Sequence, residues 1–348
     1  MSILEKIALP FVHRLDPEAA HNMTIKALNS GLAGWSGAYT SPRLQTTLAG
    51  LDLPNPIGLA AGFDKNADAI SPLLRTGFGF IEVGAVTPLP QPGNPKPRLF
   101  RLSEDGAAIN RFGFNNIGME AVAKRLKDRT DKGIVGLNLG ANKTSEHRTI
   151  DYVKVLETCG PYVDFATINV SSPNTERLRE LQGKNALYGL VKGAIETRDG
   201  FERRIPVFLK VAPDIDDRLI EDIAEVSRMM RIDALICTNT TIDRTDLKSA
   251  HADQKGGLSG APLFEKSNAI QATFARLLGE DVQIIGVGGV SSAADAYTKI
   301  RLGASAVQLY TALVFNGFSL TNKIAKGLDK LLEQDGFGHI SEAVGVDL

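Results

Sequence analysis

The chain has 348 residues, 43% of them hydrophobic and 23% charged, and a formal net charge of −1; it can bury one large core, and it lacks the basic tract that nucleic-acid binding needs. Cys159 and Cys237 form no CxxC, and the five histidines form no HExxH or metal-spaced pair, so the thiols read as reduced, buried packing residues and no metal is expected. No apolar run reaches the roughly 18–20 residues of a spanning helix, and the start of the chain reads as neither a signal peptide nor an Arg-rich transit peptide.

Residues 3–15 place Ile3, Leu4, Ile7, Ala8, Phe11, Val12 and Leu15 at helical spacing, with Pro10 limiting or kinking that helix. Asp16-Pro17-Glu18 is a helix start: a cap, a proline at the first position and an early acid. The helix it opens carries Ala20, Met23, Ala27 and Leu28 on one face and ends in a glycine-rich stretch with Trp35. Residues 1–40 therefore form a small helical unit, which serves either as a packed cap on the rest of the chain or as a surface that dips into lipid.

From residue 57 a rhythm sets in. Apolar, β-rich runs occupy 57–62, 80–86, 134–140, 165–172, 206–213, 234–240, 283–290 and 306–313, with amphipathic helical segments such as 216–230 and 262–278 between them. Near-continuous apolar strands alternating with helices mean a parallel sheet covered by helices. Eight repeats favour a closed barrel over an open sheet, so the expected fold is α/β, a (β/α)8 TIM barrel over residues 41–348 with the helical extension in front. One insertion, TPLPQPGNPKPRLFRL (87–102), holds five prolines and reads as a shaped, extended excursion. INRFGFNN (109–116) follows, with three asparagines grouped around Arg111.

In such a barrel the site lies at the C-terminal strand ends. Those ends carry Gly62, Asp64 and Lys65, then Asn138, Asn169 with Ser172, Lys210, Thr238-Asn239-Thr240, Gly286-Val287-Gly288-Gly289, and Tyr310-Thr311. Two lysines and several amides, with no carboxylate pair, do not suit a glycosidase. They suit a flat ligand rich in carbonyls and ring nitrogens, because amides both donate and accept. The glycines of GVGG (286–289) and GGLSG (256–260) could hold a phosphate on backbone N–H groups.

AAGFDKN (60–66), the proline insertion, INRFGFNN, INVSSPNT (168–175), LKVAPD (209–214), TNTT (238–241), GGLSGAPL (256–263) and GVGGV (286–290) together resemble the dihydroorotate dehydrogenases of the membrane-associated, quinone-linked class. The resemblance spans about residues 10–335. It implies oxidation of dihydroorotate to orotate in pyrimidine biosynthesis, with one FMN per chain and a membrane quinone as final acceptor. It also implies a peripheral enzyme on the cytoplasmic side of the cell's inner membrane.

Carried over residue by residue, the resemblance assigns Ala61, Gly62, Phe63, Asp64, Lys65, Ala85, Asn138, Asn169, Lys210 and Thr238 to the flavin. Gly260, Gly289, Tyr310 and Thr311 go to its ribityl phosphate. Lys65, Asn110, Arg111, Phe112, Gly113, Phe114, Asn169, Asn174, Asn239 and Thr240 go to the substrate. His21 and Arg101, with Tyr310 nearby, go to the quinone. Ser172 becomes the base that takes the substrate's carbon-bound proton, which explains a serine with no histidine beside it. Thr175 is a candidate relay. Ser171 and Ser172 point to opposite faces of the strand end, so one of them faces the ligand.

Two departures stand out: Ala85 where relatives usually have a hydroxyl, and Glu176-Arg177 where they have proline and glycine. Against this stand a soluble class of the same chemistry with a cysteine base, a Schiff-base aldolase on Lys210, a flavin-dependent tRNA reductase and a non-catalytic ligand-binding barrel.

Overall fold

A computed structural model describes residues 3–31, 37–175 and 178–348. Trp35 and the Glu176-Arg177 pair lie outside them. The first strands, β1 (Thr46–Leu48) and β2 (Leu51–Leu53), form an antiparallel hairpin. Its Leu48 and Leu53 pack with Phe80, Phe165 and Phe208, the rings that fill the barrel interior. The lower end of the barrel is therefore plugged, and only the upper end can hold a site.

The barrel itself closes from β3 (Ile57–Leu59), β4 (Phe80–Val86), β7 (Ile134–Leu139), β8 (Phe165–Asn169), β9 (Val207–Val211), β10 (Ala234–Cys237), β12 (Gln283–Val287) and β13 (Ala306–Leu309). All eight are parallel, and β13 pairs back onto β3. The expected runs hold, but most end two to four residues before the sequence pattern does. FATINVSS stops as a strand at Asn169, so Ser171 and Ser172 stand beyond the ladder. Several residues past these ends, such as Thr238 and Asn239, still bond a neighbouring strand through their N–H groups while they line the space above the barrel.

The helices are α3 (Ile70–Leu74), α4 (Met119–Lys127), α5 (Arg148–Cys159), α6 (Lys184–Asp199), α7 (Asp217–Met229), α8 (Phe264–Leu278), α9 (Ala293–Arg301), α10 (Thr311–Asn316) and α11 (Ser319–Gln334). α7 shows the logic. The Asp216 carboxylate accepts from the Leu219 N–H at 2.9 Å, and Ile220, Ile223, Ala224 and Val226 turn inward.

Two features sit above the barrel mouth. The proline insertion ends in an antiparallel sheet of β5 (Leu99–Leu102), β6 (Ala107–Asn110) and β11 (Gly257–Gly260), ordered β11-β6-β5, where sequence alone read only an extended excursion. In front of it lie α1 (Ile3–Val12), which ends before the expected residue 15 and contains Pro10, and α2 (Pro17–Asn29). Asp16 caps α2 through the Ala19 N–H at 2.9 Å. Glu18 of α2 grips Arg98 with both oxygens, at 2.8 and 3.1 Å. Arg98 also donates to the carbonyls of Pro92 and Asn94 at 2.6 and 2.9 Å, so one guanidinium ties the helix pair to the proline segment.

Candidate active site

A cavity of about 1460 Å³ opens at the C-terminal strand ends and runs out between β5, β6 and the α1–α2 pair. At its floor lies a chain of amides. The Glu82 carboxylate, fully buried inside β4, accepts from Asn138 Nδ2 at 2.6 Å and from Gln308 Nε2 at 2.7 Å. Asn138 Oδ1 then accepts from Asn169 Nδ2 at 2.8 Å, and Asn169 Oδ1 from Asn239 Nδ2 at 3.2 Å. Asn239 Oδ1 closes the chain on the Thr240 N–H at 2.8 Å. A carboxylate only accepts, so it sets which way every amide above it points. Asn138 and Asn169 each keep a second N–H free of this chain.

Ser172 lines the cavity and Ser171 does not. The Ser171 hydroxyl bonds Asn169 Oδ1 at 3.1 Å and accepts from Asn239 Nδ2 at 2.9 Å, bracing the amides from behind. The Ser172 hydroxyl accepts from the Asn174 N–H at 3.3 Å. Among the described residues no hydrogen bond joins it to Thr175. Asn174 in turn donates to Asn110 Oδ1 at 3.1 Å, which links the loop after β8 to β6.

Two lysines face this space. Lys65 Nζ donates to the Gly62 carbonyl at 2.8 Å and lies 4.2 Å from the centre of the Phe112 ring. Loss of hydration pulls its pKa down to about 8. Lys210 on β9 pairs across the ladder with Asn169; burial lowers its pKa, and the Glu82 charge opposes that shift. No protein hydrogen-bond partner for its ammonium is found among the described residues, so it is available to a ligand.

The far side of the mouth is built of glycine backbone and hydroxyls. A Cβ at Gly260 would stand 2.4 Å from the Gly106 carbonyl, and one at Gly289 2.5 Å from Phe264 Cβ. Both residues have positive φ, 102° and 75°, so side chains are excluded twice over. Thr311 Oγ1 donates to Ser259 Oγ at 2.8 Å across this end. Toward α2, the Tyr310 hydroxyl lies 3.3 Å from His21 Nδ1, and Phe63 meets both rings edge-on. Burial, aided by Lys65, drives the His21 pKa down to about 3, so this imidazole is neutral. Arg101 Nη1 donates to the His13 carbonyl at 2.7 Å, whereas its buried Nε has no partner among the described residues.

The expected site residues meet around this one cavity, with two exceptions. Asp64 is buried away from it, and its carboxylate accepts the N–H groups of Ala69, Asp68 and Asn66 at 2.7, 2.8 and 3.3 Å. Its part is to shape the turn that carries Lys65. Arg111 reaches out to Gln254 Oε1 and the Lys255 carbonyl at 3.0 and 2.9 Å and stacks on Phe100 at 4.6 Å. Glu82 and Gln308 were missed. The signal was there: a lone glutamate in FIEVGAV and a lone glutamine in AVQL, polar groups inside fully buried strands that need partners.

A family model described as dihydroorotate dehydrogenase matches residues 43–332. A protein of Cereibacter sphaeroides named dihydroorotate dehydrogenase (quinone) is 58% identical over 346 residues, covering 99% of this chain and 98% of the relative. One of Rhizobium etli with the same name is 48% identical over 343 residues, covering 97% and 95%. Among solved structures, the ligand-free enzyme of Eimeria tenella superposes with a TM-score of 0.92 at 38% identity, covering 95% of this chain and 99% of that one. Its complex with ferulenol gives 0.91 at 37% identity, covering 95% and 96%.

Proposed function

The chain belongs to the dihydroorotate dehydrogenase family, and from that premise we propose that it oxidises dihydroorotate to orotate with FMN as hydride acceptor and a membrane quinone as final electron acceptor. The observation that carries this reading is one cavity that joins the amide-and-lysine floor of the barrel to the α1–α2 pair.

The residues fit a flavin mononucleotide. Asn138 and Asn169 present N–H groups to a carbonyl edge, the unpartnered Lys210 supplies a cation, and Gly260, Gly289, Tyr310 and Thr311 leave room for a phosphate against backbone. FMN, when bound, supplies the hydride acceptor that no side chain can. Asn110, Phe112, Gly113, Phe114, Asn174, Asn239 and Thr240 surround the substrate ring, and the Lys65 ammonium meets its carboxylate. Holding the ring in one pose is itself a large rate factor. Ser172 takes the proton from ring carbon 5 and passes it on through water or a neighbouring hydroxyl.

The quinone reaches the cavity between α1 and α2, past His21, Arg101 and Tyr310. Residues 1–40 act as the membrane and quinone-access unit, and residues 41–348 as the flavin-binding barrel. Exposed Ile7, Phe11, Leu15 and Met23 support peripheral attachment to the cytoplasmic face of the inner membrane.

The test is anaerobic reduction by dihydroorotate in a stopped-flow instrument. The yellow protein bleaches. Ser172→Ala retains its flavin and bleaches roughly 10²-fold slower or worse, the range expected for a lost general base. Near-normal bleaching in the variant would remove Ser172 from the role.

A further inference from the structure

Lys299, on the inner face of α9, is fully buried and plays no part in the chemistry above. Its Nζ donates to Ser267 Oγ at 2.9 Å and Asn268 Oδ1 at 2.8 Å, both on α8, and lies 5.3 Å from the centre of the Phe264 ring. No salt bridge to it exists among the described residues. A buried cation without a counter-charge is costly, so an anion placed nearby would favour its charged form.

The candidate anion position is one hydroxyl away. Ser267 Oγ spends a lone pair on the lysine, and its single proton goes to the Phe264 carbonyl at 2.9 Å or the Gly288 carbonyl at 3.3 Å. A Cβ at Gly288 would stand 2.8 Å from that same Oγ. The Gly288-Gly289 turn is thus pressed directly onto the start of α8. In a trans peptide the C=O and the following N–H point in opposite directions. A Gly288 carbonyl turned back toward Ser267 therefore sends the Gly289 N–H away from it, on a turn that lines the cavity. That N–H has no protein acceptor among the described residues.

We propose that Lys299 is a positioning residue for a phosphate monoester seated on the Gly288-Gly289 turn, holding the turn through Ser267 and placing positive charge behind its N–H groups. The inference rests on the FMN reading and deepens it, since nothing there gave the phosphate a side-chain cation. Burial brings the Lys299 pKa down to about 7. The other titratable groups that reach it are Cys237 at the end of β10, Asp295 on α9 and Glu265 on α8, and none pairs with it. A phosphate dianion across the turn favours its charged form, because the protein between them screens poorly.

The test separates the phosphate from the ring. Full-length protein freed of flavin is titrated with FMN and with riboflavin, which lacks only the phosphate. Lys299→Met is expected to weaken FMN tenfold or more and to leave riboflavin within twofold. Ser267→Ala keeps the lysine and removes the relay; it is expected to weaken FMN several-fold with riboflavin unchanged, and it carries the test if the first variant does not fold. Equal loss of both flavins, or no loss of FMN, overturns the proposal. A wild-type chain that binds neither flavin overturns the reading beneath it instead.

Discussion

The amides at the barrel floor take their direction from one carboxylate, and that makes Glu82 a sensitive position. In Glu82→Gln a donor amide meets Asn138 Nδ2 and Gln308 Nε2, so one of the three must turn or stay unbonded. An unmet buried polar group costs about 1–3 kcal/mol. We expect orotate affinity to fall by a factor of roughly ten, about 1.4 kcal/mol, read by spectral titration; unchanged affinity would mean the amides orient without it. Lys65 gives a second outcome. Its lowered pKa of about 8 means that the ammonium is present below that pH and lost above it. The KM for dihydroorotate should therefore climb above pH 8 while kcat holds, and Lys65→Met should abolish that climb at the expense of a high KM throughout. His21, neutral down to about pH 3, should add no break to the quinone half-reaction between pH 5 and 8. At this scale the sequence was legible in placement: Ser172 and Lys210 were expected at the strand ends, and both line the cavity. It was opaque where direction decides. Nothing in FDKN says that the aspartate turns inward to three N–H groups while the lysine turns to the cavity.

Elements were legible where a long period governs them. The eight apolar runs announced the barrel because both faces of each strand are buried. Their ends were not legible, because residues such as Asn239 and Ser172 follow the apolar runs directly while lining the cavity beyond the strands. The β5–β6–β11 sheet was hidden for another reason: its third strand lies some 150 residues downstream, at Gly257–Gly260, and each of its strands has only 4 residues, too few to show a period. The joint between this insertion and α2 carries a prediction of its own. Burial works against the Glu18 carboxylate, but Arg98, with help from Lys96, overcomes that and lowers its pKa. A lowered carboxylate pKa gives stability that is present above the unfolded value, near 4, and lost as pH falls through the folded one. Docking of α2 should loosen at acid pH. Glu18→Gln should loosen it at neutral pH, since breaking a buried pair costs about 3–5 kcal/mol. Faster amide exchange in residues 17–29, with barrel strands unchanged, is the expected readout; exchange equal to wild type would show that the pair does not hold the helix.

Over the whole molecule, one cavity joins the amide floor of the barrel to the α1–α2 pair. No helix among the described residues is long and apolar enough to cross a membrane, yet Ile7 and Phe11 on α1 are 60% and 64% exposed. These exposed side chains on one short helix, beside a cavity lined by Leu9, Val12 and Ala20, are the ground on which the proposed attachment to lipid is tested. The outer rim of the same cavity is lined by Lys323, Lys326 and Lys330 of α11, a basic row suited to anionic headgroups. Exposed positions contribute little to folding, so Ile7→Ser with Phe11→Ser should leave the melting temperature near that of wild type. The barrel end is untouched, so oxidation of dihydroorotate with a soluble, short-tailed quinone should stay within twofold. With a long-tailed quinone held in anionic vesicles, the same variant should lose tenfold or more in rate, because each buried side chain surrendered is worth about 1.5–3 kcal/mol of attachment. Replacing the three lysines by glutamate should act on vesicle binding too, but with a loss that shrinks as salt rises, as screening requires. If both quinones slow equally, the helix pair shapes the cavity and does not dock it to lipid. If neither slows, the quinone enters elsewhere.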